Sequence, residues 1–178
     1  TLGAGSAGRS AAILRSHYSN AATTLMSIEG RRVISGFEEE IGEPGGFVKT
    51  GYFFMVGEGQ EEPLARNVDL GRSLGLDTRN LTPQQATPLL PAGFNFDGIT
   101  AIAYEPDSGY ADGSAVTNGF AKAARRAGGE VRLGAEVTAL LTDGGRVTGV
   151  ATADGPIHAD RVVLCAGPWA TQFLMSVG

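Results

Sequence analysis

Three glycines near the start of the chain, Gly3, Gly5 and Gly8, have the spacing G-x-G-x-x-G. In a nucleotide-binding fold this spacing lets the backbone approach a pyrophosphate, provided that a strand precedes the first glycine and a helix follows the last. Only two residues precede Gly3, and the first acidic residue that could hold a ribose, Glu29, falls inside a helical pattern. The spacing alone leaves two interpretations open: a dinucleotide fingerprint, or a flexible glycine-rich start that binds nothing.

The composition narrows the class of protein. The 178 residues are 42% hydrophobic, which is enough for one large domain or two small lobes, and the net charge of −5 with dispersed cations argues against nucleic acid and against an anionic membrane surface. There is no apolar run of about 20 residues and no signal peptide, so we expect a cytoplasmic protein. A lone Cys165 without Cys or His neighbours argues against disulfides and structural metal. Because the chain starts at Thr1 and stops just after a predicted helix begins, we expect a fragment.

Apolar spacing predicts four helices. They cover residues 20–41 with Ser19 or Asn20 as N-cap, residues 63–74, residues 82–90 starting at Thr82-Pro83, and residues 115–127. Residues 50–56 and 99–104 are predicted strands, and the aromatic residues of the first would either line a pocket or pack in the core. Lys122, Arg125 and Arg126 end the fourth helix, and we interpret them as a solvated last turn and not as a phosphate site.

After residue 130 the helical spacing of apolar residues gives way to an alternation of apolar and polar residues. Residues 131–133 alternate, and residues 136–142, 146–153 and 157–159, separated by Asp-Gly turns, predict a three-stranded antiparallel β-meander. The apolar run within residues 161–166 is typical of a strand buried on both faces of a parallel sheet, followed by a helix that begins near Trp169.

Four segments, taken in order, resemble successive segments of the FAD-dependent oxidoreductases of the D-amino-acid oxidase type, in particular the sarcosine oxidase and dimethylglycine dehydrogenase branch. They are Gly8–Tyr18, Lys49–Tyr52, Ala103–Tyr110 and Val163–Trp169. The resemblance implies an α/β fold. Residues 1–46 and 111–178 would form parts of an FAD-binding Rossmann-type domain that includes the antiparallel β-meander, and residues 47–110 would form part of a substrate-domain sheet.

The resemblance also changes the interpretation of the glycine-rich start. In the family the nucleotide fingerprint and its acidic ribose ligand precede the Gly-Arg-Ser turn, so Gly3 to Gly8 would be a later turn. The chain would then lack that fingerprint and the C-terminal half of the family's fold. We therefore expect FAD to be the cofactor of the full-length protein and to bind weakly or not at all to this chain alone.

The activity that the resemblance implies is oxidation of the C–N bond of a secondary or tertiary amino acid, of the sarcosine or dimethylglycine type. The bond becomes an imine while the flavin takes up a hydride equivalent. The partner would be a small amino acid or amine, and the oligomeric state is not predicted. Two alternatives stay open: an NAD(P)-binding or other nucleotide-binding module that uses Gly3 to Gly8, and a non-catalytic fragment.

The cofactor residues that the resemblance implies lie in three places. Gly8, Arg9 and Ser10 would lie near the flavin pyrophosphate and ring, where glycine permits close backbone approach and Arg9 offsets negative charge. Val137 would meet the adenine through its main chain, although patterning alone equally predicts a core valine. The third place is the carboxyl end of the last predicted strand, where open α/β sheets bind ligands, and its residues are Ala166, Gly167 and Trp169.

The catalytic residues that the resemblance implies are Arg15 and Tyr18. Arg15 would bind the carboxylate of the substrate, a role that suits its planar, bidentate guanidinium. Tyr18 would lie at the edge of the active site. From residue type alone, Arg15 is more simply a surface cation and Tyr18 a packing residue. We expect His17 to be exposed and Cys165 to be a small buried residue.

Overall fold

A computed structural model describes residues 1–175 of the chain. The α-helices of this part are α1 (Ala21–Ser35), α2 (Phe37–Ile41), α3 (Glu61–Ser73), α4 (Pro83–Ala86), α5 (Gly113–Arg126) and α6 (Ala170–Leu174). The strands are β1 (Ile13–Leu14), β2 (Val48–Lys49), β3 (Tyr52–Val56), β4 (Arg79–Leu81), β5 (Ala101–Glu105), β6 (Gly109–Tyr110), β7 (Val137–Asp143), β8 (Arg146–Thr152) and β9 (Gly155–His158). Short 3₁₀ helices cover Ala7–Arg9, Thr87–Leu89 and Gly167–Trp169.

The strands form three antiparallel sheets of three strands each, in the orders β1-β6-β2, β3-β5-β4 and β7-β8-β9. In the first sheet β6 pairs with β1 on one side and with β2 on the other, so strands from distant parts of the chain meet there. In the second sheet Tyr52 of β3 lies opposite Glu105 of β5. The turn between β5 and β6 therefore links the first sheet to the second.

The core lies around β5, which is buried on both faces. Ile102 is fully buried and Ala103 is 1% exposed, and α3 packs Leu64 and Val68 against the strand. A strand covered on both faces reads as a continuous apolar run, which Ala101 to Ala103 provide. This buried strand is the fixed element from which the neighbouring turns project.

Several helix starts agree with the predicted caps. Asn20 accepts a hydrogen bond from the backbone N–H of Thr23, and Thr82 forms a capping box with Gln85. The helix predicted over residues 20–41 is wrong in one respect, because it is broken at Gly36 into α1 and α2. Glycine weakens a helix, and the break lets the ring of Phe37 enter the core against α5, where Phe37 is 2% exposed.

The predicted meander is confirmed as β7-β8-β9, whereas the strand predicted over residues 161–166 is wrong. Residues 131–133 and residues 161–166 form no ladder with any described strand, and Val163 is 83% exposed. A parallel strand exists only where neighbouring strands satisfy its backbone, and within residues 1–175 every sheet is antiparallel. Cys165, predicted to be buried, is exposed for the same reason. The predicted helix after Trp169 is present as α6.

The glycine-rich start forms the 3₁₀ helix 7–9 and continues into β1. The residues directly after Gly8 form no α-helix, since α1 begins only at Ala21, so this turn lacks the helix on which a dinucleotide fingerprint would place its pyrophosphate. Gly8 is required for a local reason, since a Cβ at this position would overlap the carbonyl oxygen of Gly3. Among the described residues there is no helix with the length and hydropathy needed to cross a bilayer.

Candidate active site

Arg15 lies just beyond the end of β1 and is half-buried. Its Nη1 donates to the carbonyl oxygen of His17 at 2.6 Å. The guanidinium carbon is 4.5 Å from the ring centroid of Tyr18 and 5.8 Å from that of Tyr52, both within the range of a cation–π contact. Two aromatic rings from separate segments therefore hold this cation and shield it from water.

No aspartate or glutamate of residues 1–175 forms an ion pair with Arg15. Because Nη1 alone is used, in the bond to His17, the guanidinium keeps donors for another acceptor. A planar donor pair in a half-buried aromatic surrounding suits a carboxylate, since a charge-assisted hydrogen bond gains strength where water is excluded. The predicted pair Arg15 and Tyr18 is thus brought together, and Tyr52 joins them.

His17 is buried, which corrects the expectation of an exposed side chain. Its ring stacks on Phe54 at a centroid distance of 4.8 Å, and its Nε2 lies 3.5 Å from the side-chain nitrogen of Asn67. Burial, and secondarily the nearby charge of Arg15, hold the pKa of His17 below its ordinary value. His17 is therefore neutral at pH 7 and adds no second positive charge beside Arg15.

Glu105 anchors the segment that carries Arg15, although the strand predicted over residues 99–104 ends just before it. It is 1% exposed, and its Oε2 accepts hydrogen bonds from the backbone N–H of Ser16 at 2.8 Å and from Oγ of Ser108 at 2.7 Å. A signal was present in the sequence. Ala101, Ala103 and Glu105 alternate along β5, which places this carboxylate on the same buried face as two alanines.

Three adjoining clefts run from the glycine-rich start to the meander. The first, about 370 Å³, lies between the 3₁₀ turn and the start of α5 and is lined by Ala7, Gly8, Ser10, Ala11, Ala12 and residues 111–114. The second, about 410 Å³, is lined by Gly3, Gly5, Ser6, Ala7, Thr117 and Cys165, Ala166, Gly167 and Trp169. The third, about 370 Å³, is lined by Val137, Leu140, Val150, residues 162–166 and Phe173.

The clefts bring most of the predicted cofactor residues together. Gly8 and Ser10 line the first cleft, Gly167 and Trp169 line the second, and Val137 lines the third. The first and second clefts share Ala7, and the second and third share Cys165 and Ala166, so each cleft adjoins the next. Arg9 is exposed and lines none of the three clefts.

The lining of the first two clefts fits a long ligand that contacts backbone. Most of its residues are glycine, alanine or serine, which leave main-chain groups accessible, and Trp169 presents a half-exposed ring for stacking. Asp112 at the edge of the first cleft accepts from the backbone N–H groups of Ser114 and Ala115, so its negative charge caps α5 and disfavours a phosphate there. The first cleft therefore suits an uncharged ring better than a pyrophosphate.

The first cleft and Arg15 lie at opposite ends of β1. Ala12 lines the cleft, and Arg15 follows three residues later, at most about 10 Å along the backbone. The N–H of Ala111, next to β6, donates to the carbonyl oxygen of Ala12 and holds this end of the strand in place. A short, hydrogen-bonded stretch of backbone therefore links the cleft to Arg15.

The family of FAD dependent oxidoreductases known as DAO matches residues 1–178. The chain belongs to this family, which confirms the family and the Rossmann-type α/β fold class predicted from the sequence. Mitochondrial sarcosine dehydrogenase of Homo sapiens is 33% identical over 148 residues, covering 79% of this chain and 16% of that protein. Sarcosine oxidase subunit beta of Rhodobacter capsulatus is 27% identical over 168 residues, covering 92% and 40%.

A solved structure with the same fold is the L-proline dehydrogenase of P. horikoshii. It superposes with a TM-score of 0.83 at 26% sequence identity, covering 98% of this chain and 46% of that chain. The present chain thus spans less than half the length of each of these three relatives. The matched family is one of FAD-dependent oxidoreductases.

Proposed function

We propose that the protein oxidises the C–N bond of a small secondary or tertiary amino acid, of the sarcosine or dimethylglycine type, to an imine. Membership of an FAD-dependent oxidoreductase family and similarity to sarcosine dehydrogenase and sarcosine oxidase support this proposal. The observation that carries it is the guanidinium of Arg15, which is half-buried between two tyrosine rings and has no acidic partner among residues 1–175. Such a group is ready to bind the carboxylate of a substrate.

Each residue of this region has a separate role in the proposal. Arg15 binds the substrate carboxylate through its remaining N–H donors, and Tyr18 and Tyr52 fix the guanidinium plane and exclude water. The neutral ring of His17 adds no second positive charge directly beside the guanidinium. With its carboxylate held there, the substrate amine points along β1 toward the first cleft, where bound FAD would accept the hydride equivalent.

The cofactor proposal places FAD along the three clefts. Gly8, Arg9 and Ser10 would lie near the flavin, and Val137 would meet the adenine through main-chain groups. Ala166, Gly167 and Trp169 would contact the middle of the cofactor. The same proposal assigns residues 1–46 and 111–178 to the FAD-binding domain and residues 47–110 to the substrate-binding domain. Glycine and alanine in the lining support close approach, whereas Arg9 lies outside the clefts and would have to move toward a bound phosphate.

Trp169, the one tryptophan of these 178 residues, allows a direct test on the full-length protein. FAD should quench the emission of Trp169, and the part of the quenching lost in Trp169→Phe reports binding at the second cleft. Anaerobic addition of dimethylglycine to the FAD-loaded protein should then bleach the flavin absorbance. Quenching by NAD(P) without any by FAD would favour a nucleotide-binding module. FAD binding without bleaching by dimethylglycine or sarcosine would contradict the substrate class.

A further inference from the structure

Glu105 is the sole buried acid among the residues that the structure describes. Its two hydrogen-bond donors, the N–H of Ser16 and the hydroxyl of Ser108, are also fully buried, and no cation forms an ion pair with it within residues 1–175. Burying a carboxylate is unfavourable unless its hydrogen bonds compensate, and an apolar side chain would fill this end of β5 without that penalty. The arrangement therefore points to a task beyond packing.

The hydrogen bond to Ser16 fixes the backbone of Arg15. The N–H that Glu105 accepts belongs to the peptide joining Arg15 to Ser16, in a contact between positions 89 residues apart. The ladder between β1 and β6 ends at Leu14, so it does not hold this peptide. The carboxylate takes the place of the missing ladder partner and sets the direction in which Arg15 leaves the strand.

The Glu105 carboxylate also holds the backbone beside Tyr52, one of the two tyrosines that contact the Arg15 guanidinium. Tyr52 lies directly opposite Glu105 in the ladder between β3 and β5. Ser108, which donates its hydroxyl to Glu105, accepts at its carbonyl oxygen the N–H of Gly51 at 2.8 Å, next to Tyr52. Glu105 thus stands where the backbones that carry Arg15 and Tyr52 meet.

We propose that Glu105 is a positioning residue for carboxylate recognition: through Ser16 and Ser108 it orients Arg15 against Tyr52 so that the guanidinium faces the substrate. The inference rests on the proposed role of Arg15 as the carboxylate-binding residue. Glu105 itself does not touch the substrate. What it contributes is selectivity for carboxylated amines over amines that lack the carboxylate.

The test compares the affinities of the full-length, FAD-loaded protein for dimethylglycine and for trimethylamine, which lacks the carboxylate, with the flavin reduced beforehand so that neither ligand is oxidised. Misdirection of Arg15 in Glu105→Leu should weaken dimethylglycine binding about tenfold and leave trimethylamine within about twofold. Glu105→Gln keeps an acceptor oxygen for both donors and should stay within about threefold of the wild type. Ser108→Ala, a milder change that preserves folding, should weaken dimethylglycine binding about two- to threefold.

Leu64→Ala is the matched control, because Leu64 is equally buried but packs in the core around α3. It should lower stability and leave the ratio of the two affinities unchanged. A second readout needs no substrate: the NMR signal of the Arg15 Nε–H group should shift in ligand-free Glu105→Leu and stay near its wild-type position in Glu105→Gln.

The outcomes separate this inference from the function on which it rests. If Arg15→Met loses dimethylglycine affinity while Glu105→Leu and Ser108→Ala behave like Leu64→Ala, the positioning role of Glu105 is overturned and the role of Arg15 stands. If Arg15→Met keeps its affinity, the proposed function is overturned. In that case a shifted Arg15 signal in Glu105→Leu would still support the inference that Glu105 orients Arg15. An unshifted signal would overturn that inference as well.

Discussion

Arg15 and Arg126 are both cations near the protein surface, but their surroundings differ. Arg126 lies on the last turn of α5, where its Nη1 is 2.6 Å from Glu43, and Lys122 contacts the same carboxylate at 2.9 Å. Arg15 has aromatic rings instead of an acid. Both side chains are charged, but Arg126 is paired with an acid that it shares with Lys122. Availability to a ligand is therefore decided by pairing and not by charge.

The two regions are also built differently. Lys122 and Arg126 are four residues apart on one helix, so local geometry alone places both of them beside Glu43. Arg15 follows a strand of two residues, and its backbone is held by a carboxylate 89 positions away. The ion pair is a local feature of a helix surface, whereas the candidate substrate site depends on the tertiary fold. Perturbations should therefore affect the two regions differently.

The largest difference between the two regions is expected when Arg15 and Arg126 are each replaced by methionine. Arg15→Met should weaken dimethylglycine binding to the FAD-loaded protein about 10- to 100-fold, the range of one or two charge-assisted hydrogen bonds, and trimethylamine binding less than about twofold. Arg126→Met should leave both affinities within about twofold of the wild type. Anaerobic titration calorimetry on protein whose flavin has been reduced beforehand, so that dimethylglycine is bound but not oxidised, measures both ligands. Equal losses for the two ligands in Arg15→Met would remove Arg15 from the carboxylate role.

The response to pH should also separate the regions, because only the Arg15 region contains a buried histidine. The pKa of His17 is lowered by burial, so as the pH falls from 7 to 5 the unfolded chain takes up a proton near pH 6.5, before the folded state does. Stability should then fall with pH, by at most about 1.4 kcal/mol per pH unit from this one group. Urea unfolding at pH 7 and pH 5 measures this.

Two variants control the pH experiment. His17→Phe keeps a ring to stack on Phe54 but does not titrate, so its stability should depend less on pH between 7 and 5. His158, the other histidine of the chain, is exposed on β9, and His158→Gln should retain the wild-type dependence. If His17→Phe and the wild type lose stability in parallel, another group is responsible.

The features that sequence analysis predicted correctly depend on neighbouring residues. The caps at Asn20 and Thr82 lie within three residues of their partners, and the meander follows from alternation between Asp-Gly turns. The structure also places Arg15 beside Tyr18, and the catalytic roles that the family resemblance implies for them stay predictions. Signals of this kind need no knowledge of the tertiary fold.

The features that it missed depend on distant residues. His17 is buried because Phe54 and Asn67, from β3 and α3, cover it, and nothing beside His17 in the sequence indicates this. Residues 161–166 have the composition of a buried strand, but composition cannot supply the neighbouring strands that such a strand needs. Glu105 was within reach of prediction through its alternation with Ala101 and Ala103, but its partner Ser16 was not.

The smallest effect is expected from replacing Glu43. This change removes the acidic partner of Arg126 and leaves the cation in place. Glu43→Gln removes the acid that pairs with Lys122 and Arg126, so the ion pairs between the end of α2 and α5 are lost. The melting temperature should fall by no more than about 3 °C at low salt and pH 7, and by less in 1 M salt, because exposed pairs are weak and screened. The hydrogen bond from Lys122 holds the pKa of Glu43 below its ordinary value, so the difference should persist above about pH 4.5 and disappear as the pH falls through that lowered pKa.

Glu38→Gln is the matched control for Glu43→Gln, since Glu38 lies on α2 and forms no ion pair within residues 1–175. It removes the same charge and should leave the melting temperature unchanged. Neither variant should alter dimethylglycine affinity, because releasing Lys122 and Arg126 from Glu43 creates exposed, hydrated cations without the aromatic rings that shield Arg15. A loss of dimethylglycine affinity in Glu43→Gln comparable to that of Arg15→Met would show that the two regions are coupled and that pairing does not by itself decide which cation binds the substrate.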